Sequence, residues 1–315
     1  MILLLLALMA EPLSYVCPRA STPVRIDGVI DEQWRAAPWT AEFVDIEGAA
    51  KPQPRFRTRA RMMWDAQYFY IAAELSEPHV WGTLTKHDAV IFQDNDFEVF
   101  VDPNGDSHEY FEFEINALNT SWDLFLPKPY KDGGSANNGW EIPGLRTAVS
   151  VRGTLNDSRG IDGGWSVEIA IPWAAFGVRA RMPLPPRAGD QWRVNFSRVE
   201  WVHELVAGKY RRVAGKKEDN WVWSPQGKVN MHLPEHWGYV QFSGGAFRPD
   251  GTWAVREKLQ AYYQRQVDFH QSKKRWASDA ELSADVELER TTEGWRACAG
   301  SWCIRQDAHV EPRGR

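Results

Sequence analysis

Three carboxylates and an amide, Glu98, Glu112, Glu114 and Asn116, fall within one stretch, DAVIFQDNDFEVFVDPNGDSHEYFEFEINALNTSWD, residues 88–123. Glu98 and Phe100 alternate with Phe97, Val99 and Val101. Tyr110, Glu112, Glu114 and Asn116 alternate with Phe111, Phe113, Ile115 and Ala117. A period of two puts alternate residues on opposite faces of a strand. Pro103, Asn104 and Gly105 between the runs are turn formers. The stretch therefore reads as a hairpin whose polar face holds Glu98 within reach of Glu112, Glu114 or Asn116, according to register. A half-buried row of this kind needs a polar ligand, a metal or cationic partners, because unpaired buried carboxylates are costly. Paired carboxylates such as Glu98 and Glu112 are also the equipment of a glycoside hydrolase. With 42 Asp and Glu in the chain, that pair alone has little diagnostic weight. No nucleophile motif or phosphate loop accompanies it. His232 and His236 are four residues apart, but Pro234 between them argues against the helix that would aim both at a metal.

The apolar face of such a hairpin must be covered by a second layer. The composition supplies one: 17 Trp, 19 Pro and 24 Gly in 315 residues point to many short strands punctuated by turns, an all-β sandwich. Tyr68 to Leu75, Leu145 to Gly153, Gly164 to Ile171, Gln191 to Glu200 and Gly238 to Phe242 read as strands, and 221–237 as a loop. In RFRTRARMMW the arginines 55, 57, 59 and 61 face one way, either as a solvated strand face or beside the acidic row. Residues 127–144, PKPYKDGGSANNGWEIPG, form a long irregular loop, a common carrier of binding. Most tryptophans belong to packing between sheets. Trp122 and Trp140, which flank this loop, are candidates to stack on a sugar ring.

The ends of the chain differ in character. MILLLLALMA has the length of a signal-peptide core and is too short to span a bilayer, although no Lys or Arg precedes Arg19. Residues 1–19 are expected to be a leader segment and the protein to be secreted or periplasmic. Residues 244–315 form a separate extension. It begins with a helix over 252–276, with Thr252 as cap, and continues in two or three short strands. If Gly300-Ser301 is a two-residue turn, Cys298 faces Cys303 within disulfide reach; two unrelated thiols are the alternative. The net charge of −5, without a basic stripe, excludes nucleic acid as an expected partner.

Seven stretches in order, IDGVIDEQW, TRARMMWDAQYFYIAAEL, DNDFEVFVDP, YFEFEINALN, GGWSVEIAIPW, WRVNFSRVEW and WSPQGKVNMHLPEHWGYVQF, resemble family 9 carbohydrate-binding modules and their DOMON-like relatives over residues 20–243. The resemblance implies a jelly-roll-like sandwich of two antiparallel sheets that binds oligo- or polysaccharide without cleaving it. In the family two tryptophans clamp the sugar; the matching positions here are Phe92 and Met231, the latter beside His232. Glu98 and Asn116 match the family's hydrogen-bonding acid and amide, and Glu114 replaces an arginine. The resemblance also implies calcium. Asp102, Asn104 and Asp106 set oxygens at alternate positions in a Gly-containing turn, the spacing of a hard-cation site and equally of an ordinary acidic turn. Relatives that hold b-type haem suggest a second reading, with Met231, His232 and Met62 or Met63 as ligands. Carbohydrate binding is the expected function, with haem binding and glycoside hydrolysis as alternatives.

Overall fold

The computed structural model describes residues 12–282 and 285–314. Among them, two sheets form a sandwich. The larger orders β1 (Ser14–Cys17), β14 (Gly238–Phe242), β10 (Gln191–Glu200), β5 (Asp96–Asp102), β6 (Tyr110–Asn116) and β7 (Ser121–Leu126). β13 (Asp219–Val222) also pairs with β10, and β2 (Val44–Asp45) with β13. The smaller sheet orders β3 (Thr58–Trp64), β4 (Tyr68–Leu75), β9 (Gly164–Pro172) and β8 (Arg146–Arg152). A two-stranded hairpin, β11 (His203–Val206) and β12 (Lys209–Arg212), stands apart from both.

Alternation along the strands builds the core. Phe97 and Val99 of β5, Phe113 and Ile115 of β6, and Val194 and Phe196 of β10 point inward. They meet Ile71 of β4 and Val167 and Ile169 of β9. The other face of β5 and β6 is thereby turned outward, carrying Glu98, Phe100, Tyr110, Glu112 and Glu114.

The outer face of the smaller sheet is covered by the segment before it. Trp34 is fully buried there, and its Nε1 donates to Glu168 Oε1 at 2.6 Å. Glu168 Oε2 accepts the amides of Asp27 and Gly28 at 2.8 Å each. A Cβ at Gly28, where φ is +84°, would stand 2.6 Å from the Val149 carbonyl carbon, so the IDG turn needs its glycine.

Several expectations are corrected. Residues 14–17, placed within a leader segment ending at 19, form β1 and pair in parallel with β14 in an otherwise antiparallel sheet. Tyr15 and Cys17 alternate inward and are buried, which explains the pairing. Residues 1–11, the rest of that segment, lie outside the described residues. Asp219–Val222, part of it read as loop, is β13, held by β10 on one side and β2 on the other. The arginines of β3 are not beside the acidic row. Arg59 pairs with Glu74 at 2.8 Å on the smaller sheet, and Arg59 and Arg61 both lie over Trp39.

The extension has its own core. Helix α2 (Trp253–Lys273; α1 is the single turn Trp173–Phe176) packs Leu259, Tyr262 and Tyr263 against Trp295 and Ile304. These last two belong to a four-stranded sheet, β15 (Glu287–Thr291), β16 (Gly294–Ala299), β17 (Trp302–Arg305) and β18 (Val310–Pro312), rather than two or three strands. Thr252 does not cap α2 with its side chain, because its hydroxyl donates to Asp250. Cys298 faces Cys303 across the turn and the two are disulfide-bonded. The module docks on the β5–β6 turn and on β10: Arg193 of β10 pairs with Glu257 at 2.6 Å, Arg256 donates to the Asn104 carbonyl, and the Val310 amide to the Asp106 carbonyl.

Candidate functional site

The outward face of β5 and β6 floors a hollow of about 320 Å³. Strand register decides its composition. Glu98 stands opposite Glu114, Phe100 opposite Glu112, and Glu114 opposite Trp122 of β7. Glu98, Glu112 and Glu114 therefore lie side by side, with Trp122 at the next position across. The walls come from loops. Phe92 arrives on a 3-10 turn (Ile91–Gln93), Tyr130 on the long loop after β7, and Met231 and His232 on the loop before β14.

Each wall residue is held from behind. The Phe92 amide donates to Glu114 Oε2 at 2.8 Å, and the Phe92 carbonyl accepts Trp201 Nε1 at 2.8 Å. Phe92 itself stays 38% exposed, an aromatic face open to water. His232 Nδ1 lies 2.9 Å from the Tyr110 hydroxyl, and its ring meets Tyr130 edge-on at 4.5 Å between centroids. Burial lowers the His232 pKa to about 4, so the ring is neutral at physiological pH.

Among the described residues no lysine or arginine lines the hollow. Asp96, Glu98 and Glu114 bring carboxylate oxygens within 4.8 Å of one another. Burial pushes Glu98 up to about 7. It also raises Glu112 and Glu114 well above the usual carboxylate range, reinforced for both by the charge of Glu98. A floor of partly protonated carboxyls both donates and accepts hydrogen bonds. Two buried polar atoms on the residues lining the hollow, Glu112 Oε2 and Trp122 Nε1, have no hydrogen-bond partner among the described residues. Buried polar groups of folded proteins are nearly always paired, so these two atoms are open to water or to a ligand.

Of the residues singled out from the sequence, Phe92, Glu98, Trp122, Met231 and His232 meet around this hollow. Asn116 and Trp140 do not. Asn116 Nδ2 donates to the Leu84 carbonyl and to Asp94, while Oδ1 accepts the amides of Leu118 and Thr120. Both donors and both lone pairs are engaged, so the amide ties the loop before β5 to the turn after β6 and keeps nothing for a sugar. Trp140 packs on Phe111 and Phe125 at the edge of the core, on the far side of the sheet.

The Asp102, Asn104 and Asp106 oxygens are each engaged. Asp102 accepts the amides of Gly105 and Ser107, Asn104 that of Asp106, and Asp106 that of His108. The remaining Asp106 oxygen meets Asn104 Nδ2 and His309. Met62, Met63 and Met231 sit in three separate apolar clusters, so the segments suggested for haem do not converge.

Sequence reasoning missed Tyr130, Glu218 and Asn220, which also line the hollow. Tyr130 lies in the loop flagged for binding. Glu218 immediately precedes β13 and Asn220 lies in it, a strand whose alternation is too short to read. A larger hollow, about 890 Å³, runs along the seam between sandwich and extension, lined by Lys131, Asp132, Tyr263 and His270 among others. It lacks the in-register polar floor.

Compared with known proteins, the model of the carbohydrate family 9 binding domain-like family matches residues 26–187, about half of the chain. Exoglucanase XynX of Acetivibrio thermocellus is 28% identical over 170 residues, 53% of this chain and 13% of that enzyme. Endo-1,4-beta-xylanase A of Thermoanaerobacterium saccharolyticum is 29% identical over 157 residues, 49% of this chain and 11% of that enzyme. The matches thus span a small part of either enzyme's length. A solved structure from Bacteroides uniformis, provisionally named a carbohydrate-binding protein, superposes with a TM-score of 0.57 at 16% identity. It covers 74% of this chain and 100% of that one, a likeness of fold.

Proposed function

Because the chain belongs to the carbohydrate family 9 binding domain-like family, we propose that the hollow above Glu98 is a sugar-binding site and that the protein binds carbohydrate without cleaving it. The observation that carries this reading is the pairing of aromatic walls with an acid floor that keeps unpartnered polar atoms. Phe92, Trp122 and Tyr130 offer apolar faces of the kind that pack on a pyranose ring. Glu98 and Glu112 offer hydrogen bonds to its hydroxyls, and neutral His232 adds another polar contact without charge.

The site differs from the two-tryptophan clamp that the family resemblance implies. Phe92 stands at one clamp position and Met231 at the other, and Met231 is buried against Trp237 rather than exposed as a platform. The stacking surface shifts toward Trp122 and Tyr130. A role in polysaccharide degradation or uptake outside the cytoplasm fits the relatives, and the Cys298–Cys303 bridge suits an oxidising compartment. Among the described residues no helix is long and apolar enough to cross a membrane.

Isothermal calorimetry and glycan-array binding test the reading. The parent protein is expected to bind a soluble β-linked oligosaccharide, and Trp122→Ala to weaken it by roughly tenfold, the loss of about 1.4 kcal/mol of stacking. A folded parent with no affinity for any glycan on the array sinks the proposal.

A further inference from the structure

We propose that His87, Asp88 and Glu141, whose ligand atoms lie within 4.8 Å of one another, form with the neighbouring Asp123 carboxylate a binding site for one divalent first-row transition ion of the zinc class, at the rim of the sandwich where three segments meet. His87 and Asp88 come from the loop before β5, Asp123 from β7, and Glu141 from the loop after it.

The imidazole is oriented for the task. His87 Nδ1 lies 3.0 Å from the Ser121 carbonyl, which can only accept, so Nδ1 carries the proton. In the neutral ring Nε2 then carries the lone pair. Around Nε2 stand Glu141 Oε2 at 3.1 Å, Asp88 Oδ1 at 3.4 Å and Asp123 Oδ1 at 3.7 Å. A tetrahedral ion with bonds of about 2.0–2.1 Å spaces its ligand atoms by about 3.3–3.4 Å, in the middle of that range.

A second observation is independent of the cluster's charge. Asp123 is 1% exposed, and its Oδ2 accepts the Ile142 amide at 2.5 Å, which fixes the carboxylate. Its Oδ1, on the side of His87, is buried without a hydrogen-bond partner among the described residues, and so is Asp88 Oδ1. One imidazolium facing three carboxylates leaves the group net negative, whereas a divalent ion bound to the neutral ring offsets two of the three charges. The nitrogen ligand selects the zinc class over calcium, which takes oxygens.

The ion would clamp the loop carrying Phe92 to β7, which carries Trp122, and to the loop carrying Tyr130. It would thus brace the rim of the hollow. The inference does not depend on the sugar reading: a protein that takes up zinc and binds no glycan keeps it.

Chelator-treated full-length protein titrated calorimetrically with zinc chloride and with calcium chloride is the test. His87 and Glu141 side chains are 49% and 59% exposed, so His87→Ala and Glu141→Gln should fold like the parent, checked by thermal melting. The expected result is one equivalent of zinc, bound at least tenfold more tightly than calcium and weakened at least tenfold in each variant. No uptake by the parent, or zinc uptake that survives both substitutions, overturns the assignment; ion held at the His79–His203 pair would behave in the latter way. Calcium bound as tightly as zinc overturns it too.

Discussion

At the scale of residues, one substitution reorganises the site. Where the family resemblance implies an arginine beside the hydrogen-bonding acid, this chain has Glu114, opposite Glu98. Glu98 thereby has no neutralising neighbour at that position, while Glu114 takes up the Phe92 amide; burial first, then the charge of Glu218, raises the Glu98 carboxyl. The pH dependence of stability follows. Glu98 titrates near 7 folded against an ordinary 4.5, so the folded state holds the extra proton. Its contribution is full below about 4.5 and is lost as pH rises through 7. Glu98→Gln, which removes the titrating group, should gain on the order of 2 kcal/mol over the parent at pH 8 and nothing at pH 4.5. Guanidinium melts at the two pH values measure this, and parallel profiles for the two proteins would refute it. Glycan affinity should fall over the same window as Glu98 becomes anionic and stops donating a hydrogen bond. Calorimetry at pH 6 and pH 8.5 checks that trend.

At the scale of elements, the strand that reads least like one matters most. β1 is four residues long, yet the Tyr15 hydroxyl donates to the Pro38 carbonyl at 2.7 Å and accepts the Met62 amide at 3.1 Å. It bridges the edge of the larger sheet to β3 of the smaller. Tyr15→Phe leaves a buried amide unpaired and should cost about 1–3 kcal/mol of unfolding free energy. Chemical denaturation measures it, and a variant as stable as the parent would show that β1 is a loose appendage. β13 has a comparable role on the outer face, since its pairing with β10 sets Asn220 into the wall of the hollow.

At the scale of the whole molecule, sandwich and extension hold separate apolar cores joined by a polar seam. The seam is built on Arg193–Glu257 and on contacts from α2 and β18 to the β5–β6 turn. The disulfide sits within the extension, away from the hollow. Replacing both cysteines by serine should therefore destabilise the extension by about 2 kcal/mol, the low end for a bridge closing a short loop. Affinity for carbohydrate should be unchanged. Hydrogen exchange resolved by segment checks the first expectation and calorimetry the second; faster exchange spreading into β5 and β6 would show that the two cores unfold together.

Local pattern was enough for much of this. Tyr68–Leu75 and Gln191–Glu200 have the bounds their alternation implies, and the turn at Gly300-Ser301 sets Cys298 opposite Cys303. Those features depend on residues that are neighbours along the chain or across one turn, so the sequence carries them directly. β1 was hidden because its partner, β14, lies more than two hundred residues away, and a four-residue strand has too short a period to read. The fates of Asn116 and Trp140 were hidden for the same reason. An amide that could serve a ligand was filled by four groups from flanking loops, and a tryptophan beside a binding loop turned toward the core. The amino-acid sequence determined the strands, their apolar faces and a row of acids. Which of those acids share one hollow, and what stands over them, was decided only when register and loop closure brought distant segments together.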